Sequence, residues 1–225
     1  MTWSKSPAFA GAAWLAGLLL VAGACGGDSN DGGAGSPSAS PSLSGTAPAT
    51  GAVTLGLGPG QRPTPLSPGS YRNEVTPVVA FRLGEGWSAA LPAAGHLVLS
   101  RAEGSLVVVA VDGVFDPATG EPAAVPANLT EWLQAHPGLV STKASSLQVD
   151  NVPARQLESA PAAGARDPLE LVSGGGEALA LASGEKAHIV VLETGLVIAA
   201  VAPEAQFDAL FGEIEGVVGS MALER

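Results

Sequence analysis

The 225-residue sequence contains a single cysteine, Cys25, so no disulfide bond can form within the chain. Basic residues are also scarce: 10 Lys and Arg stand against 21 Asp and Glu, which gives a net charge of −11. Binding to a phosphate backbone requires clustered Lys and Arg, and this composition does not supply such a cluster. We therefore expect no nucleic-acid partner, and we interpret the acidic balance as a solubilising surface.

Aromatic residues make up only 4% of the sequence, although 46% of it is hydrophobic, so the core must be mainly Val, Leu and Ala. Histidines are few as well. His96, His136 and His188 fall in three separate predicted elements, without another ligand at metal-binding spacing. The HExxH and Gly-x-Ser-x-Gly motifs are absent too. The sequence therefore predicts no catalytic, metal or cofactor site.

Residues 1–24 have the three parts of an export signal. Lys5 lies in a short polar start, an uncharged apolar run extends over 8–21, and small residues precede Cys25. The run Val21-Ala22-Gly23-Ala24-Cys25 resembles the bacterial lipobox, in which the cysteine is lipidated and becomes the first residue of the mature protein. The resemblance implies that Cys25 is the lipidation site and that membrane lipid is a partner. The alternative is ordinary cleavage after Ala24, which would leave a free thiol.

Residues 25–70 are rich in Gly, Ser and Pro and are predicted to form a disordered tether behind the lipidated cysteine. Its glycine-rich piece, 55–60, lacks the Lys-Ser/Thr pair of a phosphate-binding loop, and Pro59 removes a backbone donor. We therefore expect no nucleotide site there.

A folded domain is predicted over residues 71–225, and most of its segments have the composition of β-strands. A strand is expected at 78–83, and two hairpins at 96–111 and 187–201. The run 105–111 is apolar throughout, which indicates a strand buried on both faces. Shorter strands are predicted between the hairpins, whereas 112–127 is predicted to be a loop. The shorter strands are 140–142, 146–149, 154–158, 169–172 and 178–181.

Two helices are predicted. Asn128 and Glu131 form a capping-box-like start for a short helix that ends at His136. A longer helix is predicted from Pro203 to about Val218, with one continuous apolar face. This face contains Phe207, Leu210, Phe211, Ile214, Val217 and Val218. The predicted fold class is α+β, with a mostly antiparallel sheet covered by one short and one long C-terminal helix.

Three blocks of the domain carry a resemblance to a known group. They are Pro68-Gly69-Ser70-Tyr71 with 79–87, Leu129 to Leu139, and Ala202 to Ser220. Together they resemble actinobacterial membrane lipoproteins of unknown activity. That resemblance implies a Mog1/PsbP-like sandwich and a position at the outer face of the cell membrane, and it implies no functional residue.

Two further features are candidates for binding. The loop from Asp112 to Glu121 is acidic, but it lacks the EF-hand spacing, so we interpret it as solvated rather than calcium-binding. Trp87 and Trp132 are predicted to pack in the core, and either would be a candidate binding surface if it were exposed.

These observations predict a membrane-anchored extracytoplasmic lipoprotein that acts as a non-enzymatic accessory or binding module of the cell envelope. Its partner would be an envelope protein or a hydrophobic ligand. One alternative is a carrier of a lipid or another small hydrophobic ligand, which a large apolar cavity would favour. A second alternative is an envelope hydrolase, which a pocket combining His with carboxylates would favour.

Overall fold

A computed structural model of the chain describes residues 42–43 and 51–223. Eighteen strands and two α-helices follow one another in this part of the chain. The helices are α1 (Leu129–Ala135) and α2 (Phe207–Gly219). The first nine strands are β1 (Ser42–Leu43), β2 (Val53–Thr54), β3 (Thr64–Pro65), β4 (Gly69–Asn73), β5 (Val79–Leu83), β6 (Ser88–Ala93), β7 (His96–Arg101), β8 (Gly104–Ala110) and β9 (Gly113–Phe115). The others are β10 (Pro122–Ala123), β11 (Leu139–Ser141), β12 (Ser145–Val149), β13 (Val152–Pro161), β14 (Leu169–Gly174), β15 (Glu177–Leu181), β16 (Glu185–Leu192), β17 (Leu196–Pro203) and β18 (Ala222–Leu223).

The strands form three sheets. A ten-stranded central sheet has the order β1-β12-β13-β16-β17-β8-β7-β6-β3, with β11 also paired to β13. An α2-side sheet has the order β18-β5-β4-β2, and an α1-side sheet has the order β10-β9-β14-β15. Pairing is antiparallel except between β1 and β12 and between β2 and β4.

The central sheet is buried on both faces because its middle strands alternate between two hydrophobic cores. On β8, Leu106 and Val108 belong to the α2-side core, whereas Val107 and Val109 belong to the α1-side core. The predicted two-sided burial of this strand is confirmed. The α2-side core lies between the central sheet, the α2-side sheet and α2, and the α1-side core lies between the central sheet, the α1-side sheet and α1.

The predicted α+β class is wrong. The structure is 49% strand and 13% helix, with three sheets and only two helices. The two helices were expected to cover the sheet, but two additional sheets cover much of its two faces. Two of their strands, β9 and β10, lie in the segment 112–127 that was predicted to be a loop. Strand β9 has three residues and β10 has two, which is too short to show a periodic pattern.

The predicted tether also needs correction, because residues 51–70 belong to the fold. Leu55 and Leu57 are only 6% and 8% exposed and lie in the α2-side core. The backbone N–H of Leu55 donates to the carbonyl of Arg72 at 2.8 Å. The Gly- and Pro-rich composition concealed this because backbone hydrogen bonds, such as that from Leu66 N–H to the carbonyl of Trp87, hold the segment together with the two leucines. Apart from Ser42–Leu43, the rest of the predicted tether lies outside the described residues.

Helix α2 begins later than predicted. Pro203, expected at its first position, is the last residue of β17, and a 3₁₀ turn at Glu204–Gln206 precedes the α-helix. Phe207, Leu210, Ile214, Val217 and Val218 are buried as predicted, but Phe211 is only partly buried. The apolar face of α2 is therefore less completely buried at Phe211 than at its other residues.

The turn between β14 and β15, in the α1-side sheet, packs against the central sheet. Gly175 has φ +64°, and a Cβ at this position would overlap the carbonyl oxygen of Ala94. The Asp112 carboxylate accepts hydrogen bonds from Ser173 Oγ and from the Gly175 backbone N–H, both at 2.8 Å. The glycine run 174–176 is thus a packed contact between the two sheets.

Candidate binding site

The two tryptophans, which were predicted to pack in the core and to be candidates for binding only if exposed, both contact other residues of the fold. Trp87 is 2% exposed in the α2-side core, with the guanidinium carbon of Arg101 5.7 Å from its ring centroid. Trp132 is half-buried on α1, against the α1-side core, and its ring meets His136 edge-on at 4.9 Å. Both side chains pack within the fold. Cys25, the predicted lipidation site, lies outside the described residues.

The three histidines are separated in the structure as they are in the sequence. His96 and His136 are buried, His188 is half-buried, and burial lowers the pKa of all three imidazoles. His136 Nδ1 accepts the backbone N–H of Gly138 at 3.1 Å, as a neutral ring can. Within residues 51–223, three or more His, Cys, Asp or Glu residues nowhere cluster in a way that could hold a metal ion.

The acidic loop from Asp112 to Glu121 contains hydrogen bonds between its own residues. The Asp116 carboxylate accepts the backbone N–H groups of Thr119 at 2.8 Å and Ala118 at 2.9 Å, which hold the pKa of Asp116 below its usual value. Arg166 then donates to the carbonyl of Ala118 at 3.1 Å. Asp116 is therefore already used as an acceptor within the loop.

A cleft of about 660 Å³ opens beside the start of α1. Residues 125–130 form one wall, and the ends of β12, β13 and β16 form the other. Val111, Val125, Leu129 and Val191 are apolar lining residues, whereas Arg155 and Glu193 are the charged ones. We call this site the α1 cleft. Its volume falls in the range of about 300–1,000 Å³ that is usual for ligand pockets.

A smaller groove of about 180 Å³ lies between α2 and the central sheet. Helix α2 packs on β17 and β8, and the central sheet continues through β16, β13 and β12 to β1, which also contacts α2. We call this site the α2 groove. It is lined by Leu147, Gln156, His188, Val190, Phe211, Ile214, Glu215 and Val218.

A row of hydrogen bonds crosses three strands along this groove. Gln156 Nε2 donates to Ser145 Oγ at 3.1 Å, and His188 Nε2 lies 3.2 Å from Gln156 Oε1. The other side of the His188 ring meets aromatic surface, since its centroid is 4.7 Å from that of Phe211. Sequence reasoning missed this site because Gln156 and His188 are 32 residues apart. They meet only through the pairing of Glu158 with His188 between β13 and β16.

Neither described helix is long and apolar enough to cross a membrane. No protein-family model matches the chain, and no curated protein matches it.

Proposed function

We propose that this protein is a lipid-anchored extracytoplasmic binding module that takes a small ligand in the α1 cleft. The observation that carries the proposal is the cleft itself, which is large enough for a drug-sized molecule and has both polar and apolar walls. Such a site binds by shape and by a few placed polar groups. A site of this kind supports the proposal of a non-enzymatic accessory role.

The side chains of the cleft indicate what the ligand would carry. Among the described residues that line the cleft, Arg155 is the one cation, and guanidinium groups bind carboxylates in a planar, two-point geometry. Val111, Val125 and Val191 line the cleft as apolar surface. A small molecule with an acidic group and an aliphatic or aromatic part would match both features.

The sequence supports the anchor. The lipobox-like run ends at Cys25, and two or three acyl chains bind a membrane stably where a single chain would not. The structure describes the chain continuously from residue 51, and Ser42–Leu43 pair with β12.

The anchor is tested by replacing Cys25 with Ser in the full chain and separating the membrane from the soluble and secreted fractions. We expect the wild-type protein in the membrane fraction and the Cys25→Ser protein outside it. A Cys25→Ser protein that stays with the membrane would contradict lipid anchoring.

The cleft is tested by native mass spectrometry of the full chain purified from its own host, followed by a filling substitution. Ser146 is an exposed lining residue, so Ser146→Trp should block the cleft without disturbing the core. Ser183→Trp is the control, because Ser183 is exposed in the turn before β16, whereas the cleft lies at the end of that strand. We expect a bound small molecule that Ser146→Trp removes and Ser183→Trp retains. Retention in both variants, or no bound molecule in the wild type, would contradict the proposal.

A further inference from the structure

The floor of the α1 cleft is one face of the central sheet, where three strands lie side by side. Strand pairing places Ser146 beside Arg155, and Arg155 beside Val191. The backbone N–H of Glu193 donates to the carbonyl of Pro153 at 3.2 Å, which continues the pairing of β13 with β16 by one residue. Residues two apart on a strand point to the same face, so these five side chains share one side of the sheet. All five line the cleft.

This floor carries two opposite charges, Arg155 and Glu193, and both residues are exposed. Glu193 follows Val191 by two residues, so it is the diagonal neighbour of Arg155, at the distance of about 7–8 Å that is usual for such neighbours on one face. Neither side chain forms an ion pair with any residue that the structure describes. Arg155 Nη2 donates to the carbonyl of Ala144 at 3.3 Å, which leaves the other guanidinium N–H groups available to a ligand. The cleft therefore presents a cation and an anion that do not pair with each other.

Two neighbouring charges of opposite sign select against a ligand that carries only one charge. A simple carboxylate bound to Arg155 lies near the like charge of Glu193, and a simple amine bound to Glu193 lies near the like charge of Arg155. A ligand with both groups satisfies both side chains through charge-assisted hydrogen bonds.

We propose that the ligand of the α1 cleft is a zwitterion, namely a free amino acid or a short peptide with an apolar side chain. Its carboxylate binds Arg155, its ammonium group binds Glu193, and its side chain contacts Val111 and Val125. The cleft volume of about 660 Å³ accommodates either kind of molecule. This inference rests on the proposed function, because it names the ligand class of the same cleft.

The test titrates the full chain, in a calorimeter, with leucine, leucyl-leucine, isocaproic acid and isoamylamine. Isocaproic acid is leucine without its amino group, and isoamylamine is leucine without its carboxyl group. We expect the tighter-binding zwitterion to exceed both single-charge compounds by at least about tenfold in affinity, because each of these lacks one charged hydrogen bond. Tighter binding of leucine identifies an amino-acid site, and tighter binding of leucyl-leucine identifies a peptide site.

Two results would overturn the inference on the unsubstituted protein. If isocaproic acid binds as tightly as the better zwitterion, Glu193 does not select the ligand, although the cleft still binds an acid as the proposed function requires. If neither zwitterion binds, the ligand class is wrong, and the native mass spectrometry described above decides separately whether the cleft holds another molecule. Zwitterion binding that survives Ser146→Trp would place the ligand outside the cleft and would also overturn the inference.

Substitutions then separate the two charges. Glu193→Gln should weaken the zwitterion about tenfold and leave isocaproic acid bound as tightly as before, or more tightly, because the like charge is gone. Arg155→Gln should weaken the zwitterion and isocaproic acid about tenfold each, but not isoamylamine. Glu85→Gln and Arg82→Gln are the matched controls, since both residues are exposed and neither lines the cleft, and they should change no affinity. A Glu193→Gln protein that loses isocaproic acid as strongly as the zwitterion would contradict the role of Glu193.

Discussion

The two faces of the central sheet are closed in different ways. The α2-side core contains the buried aromatic residues Tyr71, Phe81, Trp87 and Phe207, and its cover comes from both ends of the described chain. Among the residues that the structure describes, the α1-side core has no buried aromatic residue. Its cover, which comprises β9, β10, α1, β14 and β15, comes from the middle of the chain.

This difference predicts how strongly substitutions in each core lower the stability of the protein. Closing the α2-side core brings Leu55 together with Val217, Val218 and Met221, so it needs contacts between distant parts of the sequence. The α1-side core is closed by elements that are nearer to one another along the chain. Large aromatic residues on the α2 side also leave larger cavities when they are removed. We therefore expect substitutions in the α2-side core to lower the free energy of unfolding more than substitutions in the α1-side core.

The largest effect is expected for Phe207→Ala. Phe207 is 2% exposed, and replacing a buried Phe by Ala typically costs about 3–5 kcal/mol in the free energy of unfolding. Phe211→Ala, one turn further along α2, removes a half-buried ring and should cost less than half as much. Urea denaturation measures both values. Equal losses would mean that Phe211 is a core residue and that the α2 groove is closed in solution.

The α1-side core is tested by Leu171→Ala. Leu171 is fully buried on β14, and its truncation should cost about 2–5 kcal/mol, at or below the value for Phe207→Ala. Glu170→Ala, at the exposed neighbouring position, should stay within about 0.5 kcal/mol. If Leu171→Ala destabilises the protein more than Phe207→Ala does, the α1-side core is the more sensitive one.

Residues 51–57 should matter to the α2-side core although their composition resembles a linker. We expect Leu55→Ala to cost about 2 kcal/mol, because this side chain is almost fully buried. Val53 is 60% exposed, so Val53→Ala serves as the matched control and should change stability by less than about 0.5 kcal/mol. Thermal unfolding of the two variants side by side provides the measurement. Identical midpoints would show that this segment does not contribute to the core.

Stability should decrease as the pH is lowered from about 7 to 5. Burial lowers the pKa of His96, His136 and His188 below 6.5, so the folded state binds fewer protons than the unfolded state in this window. The stabilisation is complete above pH 6.5 and is lost as the pH falls toward the lowered values. Urea denaturation at several pH values tests this. Replacing each histidine with Gln should flatten the profile, and a profile that is flat in the wild type would contradict it.

The smallest effect concerns two neighbouring acids on α2. Glu213 forms an ion pair with Arg101, which also pairs with Glu103 at 2.6 Å and lies over Trp87. Because these groups are partly exposed, Glu213→Ala should cost at most about 1 kcal/mol. Glu215 has no ion pair among the described residues, and Glu215→Ala should stay within about 0.5 kcal/mol. A larger loss for Glu215→Ala in urea denaturation would reverse this order.

Prediction from sequence succeeded where the local pattern is strong. The hairpins that contain β7–β8 and β16–β17 were predicted because long apolar strands flank short turns, and α1 was located by its cap, where Asn128 Oδ1 accepts the Glu131 N–H at 3.1 Å. Prediction failed for β2, β3, β9 and β10, each two or three residues long, and also for the longer β4 and β6. Such short strands are formed by pairing with a neighbour rather than by their own periodicity.

The candidate sites were beyond prediction for a related reason. Each is a gap between elements, and the size of a gap depends on where a helix stops covering a sheet. Trp87 and Trp132 were predicted to pack in the core and to be candidates for binding only if exposed, and both side chains pack within the fold. His188 and Gln156 look ordinary in the sequence, and only the strand register places them side by side.

The sequence by itself determined the strand-rich pattern, the two-sided burial of β8 and the apolar stripe of α2, and it predicts an export and lipidation signal that ends at Cys25. These depend on the period of neighbouring side chains or on a short local motif. Only the tertiary structure decided that three sheets share the chain, that residues 51–57 join the core, and that α2 leaves a groove beside His188. These depend on which distant segments meet, and that is determined by packing summed over the whole molecule rather than by any local pattern.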